Sequence, residues 1–332
     1  MGELFSTRVA GEAWRGEATR WVEEELRRVG RRVTGPLEQP RIRPWSTQLV
    51  VPTDRGRVWF KANCASAAFE PAVHAALARL EPTEVEAPLA VDAGRGWMIT
   101  ADRGATLGDS RDATLEDWQG LLTAAATVQR RTAAHRDELV GAGLPDCSPP
   151  TVPARYLWLV DELAALPDGH PSHLTAEEAG SLRSRIGDVE AAVAALVAGP
   201  LPSSLEHGDL HPRNVFVVDG ALRFFDFGDA QWAHVLEVLA VPHGYSTRVT
   251  HHPWDALLDA YARVWADVLD RDSLESLMGP AMVTHAVNRS FTWLGAIRGA
   301  QPDELAEWGD SPLYYLRLTH EPFPPQEPEQ GP

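Results

Sequence analysis

No stretch of the 332-residue chain restricts its fold as tightly as residues 205–230, LEHGDLHPRN followed by VFVVDGALRFFDFGDA. VFVV and ALRFF are short β-rich runs joined by Asp219 and Gly220, a pair that accepts positive φ and marks a two-residue hairpin. Asp209 and Asn214 fall in the loop entering this hairpin and Asp226 at its exit, so antiparallel pairing brings the three oxygen-bearing side chains to one end. Such a set suits a hard divalent ion such as Mg²⁺, which takes carboxylate and carbonyl oxygens and keeps room for substrate phosphates.

Helical and extended patterns flank this stretch. Trp14, Trp21, Val22, Leu26 and Val29 recur at helical spacing from Glu12 to Arg32. QLVVPT and RVWFKA, separated by Asp54, Arg55 and Gly56, read as a hairpin within strand-like residues 40–62. ASAAFEPAVHAALARL places Phe69, Val73, Leu77 and Leu80 on one helical face, with Glu70 near its start. Residues 85–100 are extended again. Beyond Gly104 helix dominates, with capping boxes expected at Thr114/Asp117 and Thr175/Glu178 and more helix over 254–299. The Pro-rich, acidic segment 321–332 reads as a disordered tail.

Composition removes several classes of function. With 44% hydrophobic and 23% charged residues the chain is globular. A net charge of −17 argues against nucleic acid as a partner and favours cationic ligands. Two cysteines, Cys64 and Cys147, make no disulfide framework, which suits a cytoplasmic location. MGELFST matches a myristoylation pattern at Gly2 and Ser6, but no stretch approaches the roughly 18 apolar residues of a membrane helix, and no membrane partner is expected. Every basic residue except Lys61 is an arginine. A lone lysine in a strand-like segment stands out, because lysine is a compact phosphate ligand.

HGDLHPRN followed by FDFGD resembles the catalytic loop and metal-binding motif of the aminoglycoside phosphotransferase family, the small-molecule branch of the protein-kinase-like fold, with Gly208 where protein kinases carry arginine. The resemblance implies an α+β, bilobal fold: residues 1–102 as a nucleotide-binding lobe built on a small antiparallel sheet, and 103–320 as a larger, mostly helical lobe for catalysis and acceptor binding. It implies an enzyme that uses ATP and Mg²⁺ to phosphorylate a hydroxyl of a small molecule. Asp209 matches the catalytic aspartate, and Asn214 and Asp226 the metal ligands. Lys61 matches the phosphate-binding lysine and Glu70 its helix partner, with Glu84 and Glu86 as substitutes for Glu70. Ala101 and Arg103 fall in the hinge that would hold adenine. Ser46 and Thr47 stand where a glycine-rich loop would cover the phosphates. An aminoglycoside acceptor follows by resemblance, and choline, an amino alcohol or a sugar are alternatives. A catalytically idle nucleotide-binding module and a protein kinase are further readings. No APE motif follows DFG, which disfavours the protein kinase, and oligomeric state is not legible.

Other residues carry open alternatives. Asp229 either meets a substrate ammonium or caps a helix. Arg213 either approaches phosphate or is an exposed loop residue. His207 and His211 read as structural rather than zinc ligands, and Phe224, Phe225 and Phe227 as core. Trp254, Trp265 and Trp293, with Asp255, Asp267 and Asn288, either line the acceptor pocket or pack inside.

Overall fold

The computed structural model describes residues 4–321 and residue 323; Gly2 and nearly all of the 321–332 tail lie outside the described residues. Strands β1 (Glu38–Ile42), β2 (Ser46–Thr53), β3 (Gly56–Asn63), β4 (Ala90–Asp92) and β5 (Trp97–Ala101) form an antiparallel sheet in the order β1-β2-β3-β5-β4. Side chains alternate between the two faces of such a sheet. Leu49 and Val51 of β2, Val58 and Phe60 of β3, and Trp97 and Ile99 of β5 pack with Trp14, Trp21, Val22 and Leu26 from helix α2 (Glu12–Arg28), with Phe5 of the short helix α1 (Phe5–Ala10) completing the cluster. Trp97 anchors this face, its ring 5.6 Å from Trp21 and 5.4 Å from Phe60, both edge on. The opposite parity leaves Gln48, Trp59, Lys61, Met98 and Thr100 facing a cleft.

Two helices are shorter than their patterns suggest. α2 stops at Arg28 because Gly30 turns left-handed (φ 71°) and closes a Schellman cap, with Gly30 N–H donating to the Arg27 carbonyl and Arg31 N–H to that of Leu26. The pattern beginning at Ala65 yields a 3₁₀ turn over Ala65–Ala67 before helix α3 (Glu70–Leu80).

The remainder is mostly helical. Both expected capping boxes form, with Thr114 and Asp117 opening the helix Leu115–Thr132 and Thr175 and Glu178 opening Ala176–Ser184. The helical expectation over 254–299 resolves into Trp254–Trp265, Arg271–Ser276 and Met278–Ile297. Between these helices, β6 (Ser203–Glu206) pairs with β9 (Gln231–His234), and β7 (Val215–Val218) with β8 (Ala221–Phe224). The β7–β8 turn is the expected Asp219-Gly220 pair, both residues at positive φ (52° and 79°). A core that includes Trp118, Leu121, Val215, Phe227, Trp232 and Tyr261 ties the hairpin to the helices. Among the described residues no helix is long and apolar enough to cross a membrane.

Candidate active site

Lys61 reaches the cleft because its place in β3 has the parity opposite to the buried Phe60 and Ala62. Its Nζ lies 2.7 Å from Glu70 Oε2 and 2.6 Å from Asp226 Oδ1. Glu70 is fully buried in the first turn of α3, where Asn63 Nδ2 also donates to it at 2.9 Å. Burial works against the Lys61 ammonium, but the charges of Asp226 and Glu70 outweigh it and the pKa is raised. Burial likewise opposes the Asp226 carboxylate, and Lys61 reverses the balance so that its pKa falls. For Glu70 burial prevails and the pKa rises. Glu84 and Glu86 are occupied elsewhere, by Arg131 and Arg103.

β6 delivers the loop on the other side of the cleft. Gly208 adopts φ 79°, and a Cβ there would sit 2.1 Å from the Asp229 carbonyl oxygen, so no larger residue fits. Gly208 N–H donates to Glu206 Oε1 at 2.8 Å. His207 is buried against Phe227 with Nε2 at 3.0 Å from the Phe225 carbonyl, in keeping with a structural role. Asp209 Oδ2 accepts from Asn214 Nδ2 at 3.0 Å and lies 3.2 Å from His211 Nε2. Burial raises the Asp209 pKa, yet the His211 hydrogen bond and the nearby cations bring it down to about 2. Asp226 holds its place in the left-handed region (φ 63°), a strained conformation for a residue with a Cβ.

The two sides enclose a cleft of about 800 Å³, within the range of small-ligand sites. Its lining includes Met98, Ala101, Arg103 and Gly104, and also Phe216 and Phe225, whose rings stack at 4.4 Å and 19°. Phe225 therefore lines the cleft instead of joining the core, whereas Phe227 and Phe224 are buried. Trp45, Arg289, Phe291 and Trp293 form another part of the lining, gathered about the Met278–Ile297 helix, which Trp45 meets through Trp293.

Several expected residues are not brought here. Thr47 shares the parity of Leu49, is fully buried, and donates to the Arg41 carbonyl; Ser46 is buried at the start of β2, outside the cleft wall. Gln48 takes the cleft position on that strand. Asp229 neither caps a helix through its side chain nor stands free: its Oδ2 is 2.9 Å from Arg289 Nη1. Of the residues considered for the acceptor pocket only Trp293 lines the cleft. Trp265 is core, Trp254 packs on His243, Asp255 and Asp267 pair with Arg271 and Arg130, and Asn288 bonds Glu237 and the Cys147 carbonyl. Arg213 is largely exposed, 3.5 Å from Asp109. Arg289, Trp45 and Phe216 escaped the sequence reading; the one signal for Arg289 was that it is the single charged residue in the run VNRSFTWLGAI, four residues before Trp293.

Among the described residues no group of three His, Cys, Asp or Glu side chains converges to hold a metal alone. Mg²⁺ needs no such cage, since one or two protein oxygens suffice when phosphates and water complete its shell. Asp226 and Asn214 both face the cleft, and Asn214 spends its amide N–H groups on Asp209, which leaves its Oδ1 without a hydrogen-bond partner among the described residues. This donor set fits Mg²⁺.

Solved structures of low sequence identity share the fold. A macrolide 2'-phosphotransferase type I superposes with TM-score 0.58 at 17% identity, over 88% of this chain and 95% of that one. An ethanolamine kinase from Plasmodium vivax gives 0.60 at 12%, over 85% and 82%. A spectinomycin phosphotransferase in complex with ADP and spectinomycin gives 0.51 at 13%, over 90% and 97%. The α+β, bilobal protein-kinase-like architecture is thereby shown. No curated protein matches the sequence. Residues 48–277, more than half of the chain, match the model of the phosphotransferase enzyme family (APH), and the chain belongs to that family.

Proposed function

We propose that the chain is an ATP- and Mg²⁺-dependent kinase that phosphorylates a hydroxyl of a small molecule, acting in the cytoplasm. The observation that carries this reading is the convergence of Lys61, Glu70 and Asp226, far apart in sequence, within 2.8 Å contacts on the wall of one cleft that also holds Asp209 and Asn214. Neighbours named for macrolides, ethanolamine and spectinomycin, one of them with ADP, support a small acceptor and an adenine nucleotide.

In this reading residues 1–102 form the nucleotide-binding lobe and 103–320 the catalytic and acceptor-binding lobe. The base sits between the Ala101–Arg103 segment and the Phe216/Phe225 stack. Lys61, aimed by Glu70, binds the phosphates, and Asn214 and Asp226 hold Mg²⁺. When bound, the ion neutralises charge developing on the transferred phosphoryl group. Lys61 and Asp226 satisfy each other in the arrangement described, so binding exchanges that contact for phosphate on one side and metal on the other. Asp209, ionised at all physiological pH, accepts a hydrogen bond from the acceptor hydroxyl, orients its oxygen, and takes the proton as the new P–O bond forms and the bond from the γ-phosphorus to the bridging oxygen breaks, releasing ADP. So weak a base works by positioning, with proton transfer late.

The test is ADP release over a panel of choline, ethanolamine, macrolides, aminoglycosides and sugars. Asp209→Asn is expected to bind Mg²⁺-ATP as wild type does and to lose about 100-fold or more in turnover. Undiminished turnover contradicts the assignment.

A further inference from the structure

The acceptor end of the cleft is poor in free negative charge, although the chain carries −17. Each carboxylate on the cleft wall except one already faces a cation. Glu70 and Asp226 hold Lys61, Glu86 holds Arg103, Asp229 faces Arg289, and Asp109 lies near Arg213. Asp209 alone has no lysine or arginine partner among the described residues, and catalysis claims it. A polyamine sugar entering here finds no second anion to meet its ammonium groups.

Hydrogen-bond donors are in surplus instead. Arg289 is 7% exposed; its Nη1 lies 2.9 Å from Asp229 Oδ2, and its Nε has no hydrogen-bond partner among the described residues. Trp293 Nε1 is also buried and unpartnered. The two residues are one turn apart on the Met278–Ile297 helix, which puts them on one face, and both line the cleft. Buried donors are rarely left unmatched, so this pair calls for oxygen from a ligand. Around them the wall is apolar: Trp293 meets Trp45 edge on at 5.6 Å, and Phe291, Pro145 and Ala296 continue the surface.

We infer that the acceptor is a hydroxyl compound with an apolar scaffold and a carbonyl or carboxylate oxygen, and not a polyamine sugar. Its hydrocarbon face lies on Trp45, Phe291 and Trp293, and its oxygen accepts from the Arg289 guanidinium. This rests on the phosphotransferase reading, because it takes the Arg289 end of the cleft as the acceptor side. It runs against the aminoglycoside expectation, which rested on resemblance and on the acidic net charge.

The probe is anilinonaphthalene sulfonate, an apolar scaffold with an anionic oxygen group, titrated by fluorescence with the nucleotide side filled by Mg²⁺-ADP. Wild type is expected to bind one equivalent, kanamycin to leave that binding unchanged, and Arg289→Met to weaken it by about tenfold or more. Since Arg289→Met strands Asp229, the double variant Arg289→Met/Asp229→Asn is measured beside it, and thermal melts establish that each is folded. Displacement by kanamycin, or affinity unaltered in folded Arg289 variants, overturns the inference. The same titration without nucleotide separates the two readings. If Mg²⁺-ADP fails to bind at all, the phosphotransferase reading falls, while the Arg289 dependence of the probe still decides what this end of the cleft recognises.

Discussion

A methyl group at residue 208 would collide with the backbone of residue 229, and this contact locks the loop bearing Asp209 to the segment bearing Asp226 and Asp229. Gly208→Ala combines that clash with a positive φ and is expected to cost about 2–4 kcal/mol of stability, read as a lowered midpoint in denaturant. Its neighbour Glu206 is buried, and burial lifts its carboxyl to about 7 against the opposing Gly208 N–H bond. A folded-state pKa above the unfolded value of 4.5 means that the stabilising contribution is complete below about pH 4.5 and is lost as pH rises through about 7. Glu206→Gln keeps an oxygen for Gly208 and removes the buried charge. At pH 8 it is expected to be about 1–3 kcal/mol more stable than wild type, with the difference gone near pH 4. Equal pH slopes in the two proteins would contradict the assigned protonation of Glu206.

Elements differ in how openly the sequence states them. The capping boxes and the Asp219-Gly220 hairpin rest on local hydrogen bonds and local φ preferences, and both form where the sequence places them. Thr114→Ala removes one such bond at the start of the Leu115–Thr132 helix and is expected to cost about 1 kcal/mol in chemical denaturation. Lys61, Glu70, Asp209, Asn214 and Asp226 were legible because chemistry and spacing recur together, and they share the cleft. Thr47 was misread because its face follows from parity with Leu49, which only the register of β2 on β3 fixes. Arg289 was missed because its environment is assembled by a contact across 60 residues, the Asp229 pair, and nothing local announces it.

At the scale of the molecule, the acidic surface and the charge-paired cleft act on a nucleotide in opposite directions. The net charge of −17 repels an anionic ligand at long range, and salt shortens that reach. Association of a fluorescent ATP analogue by stopped flow is therefore expected to speed up about two- to threefold from low to physiological ionic strength. A rate that falls with salt would show that the Lys61 end of the cleft dominates the field. If the Lys61–Glu70–Asp226 cluster is a triphosphate site, as proposed, Mg²⁺-ATP binding depends on Lys61, and calorimetric titration measures that dependence. Wild type is expected to bind with 1:1 stoichiometry, Lys61→Met to bind about tenfold or more weakly, and Lys61→Arg, which keeps the charge that Glu70 and Asp226 require, to fall between them. Equal affinity in wild type and a folded Lys61→Met would contradict the account.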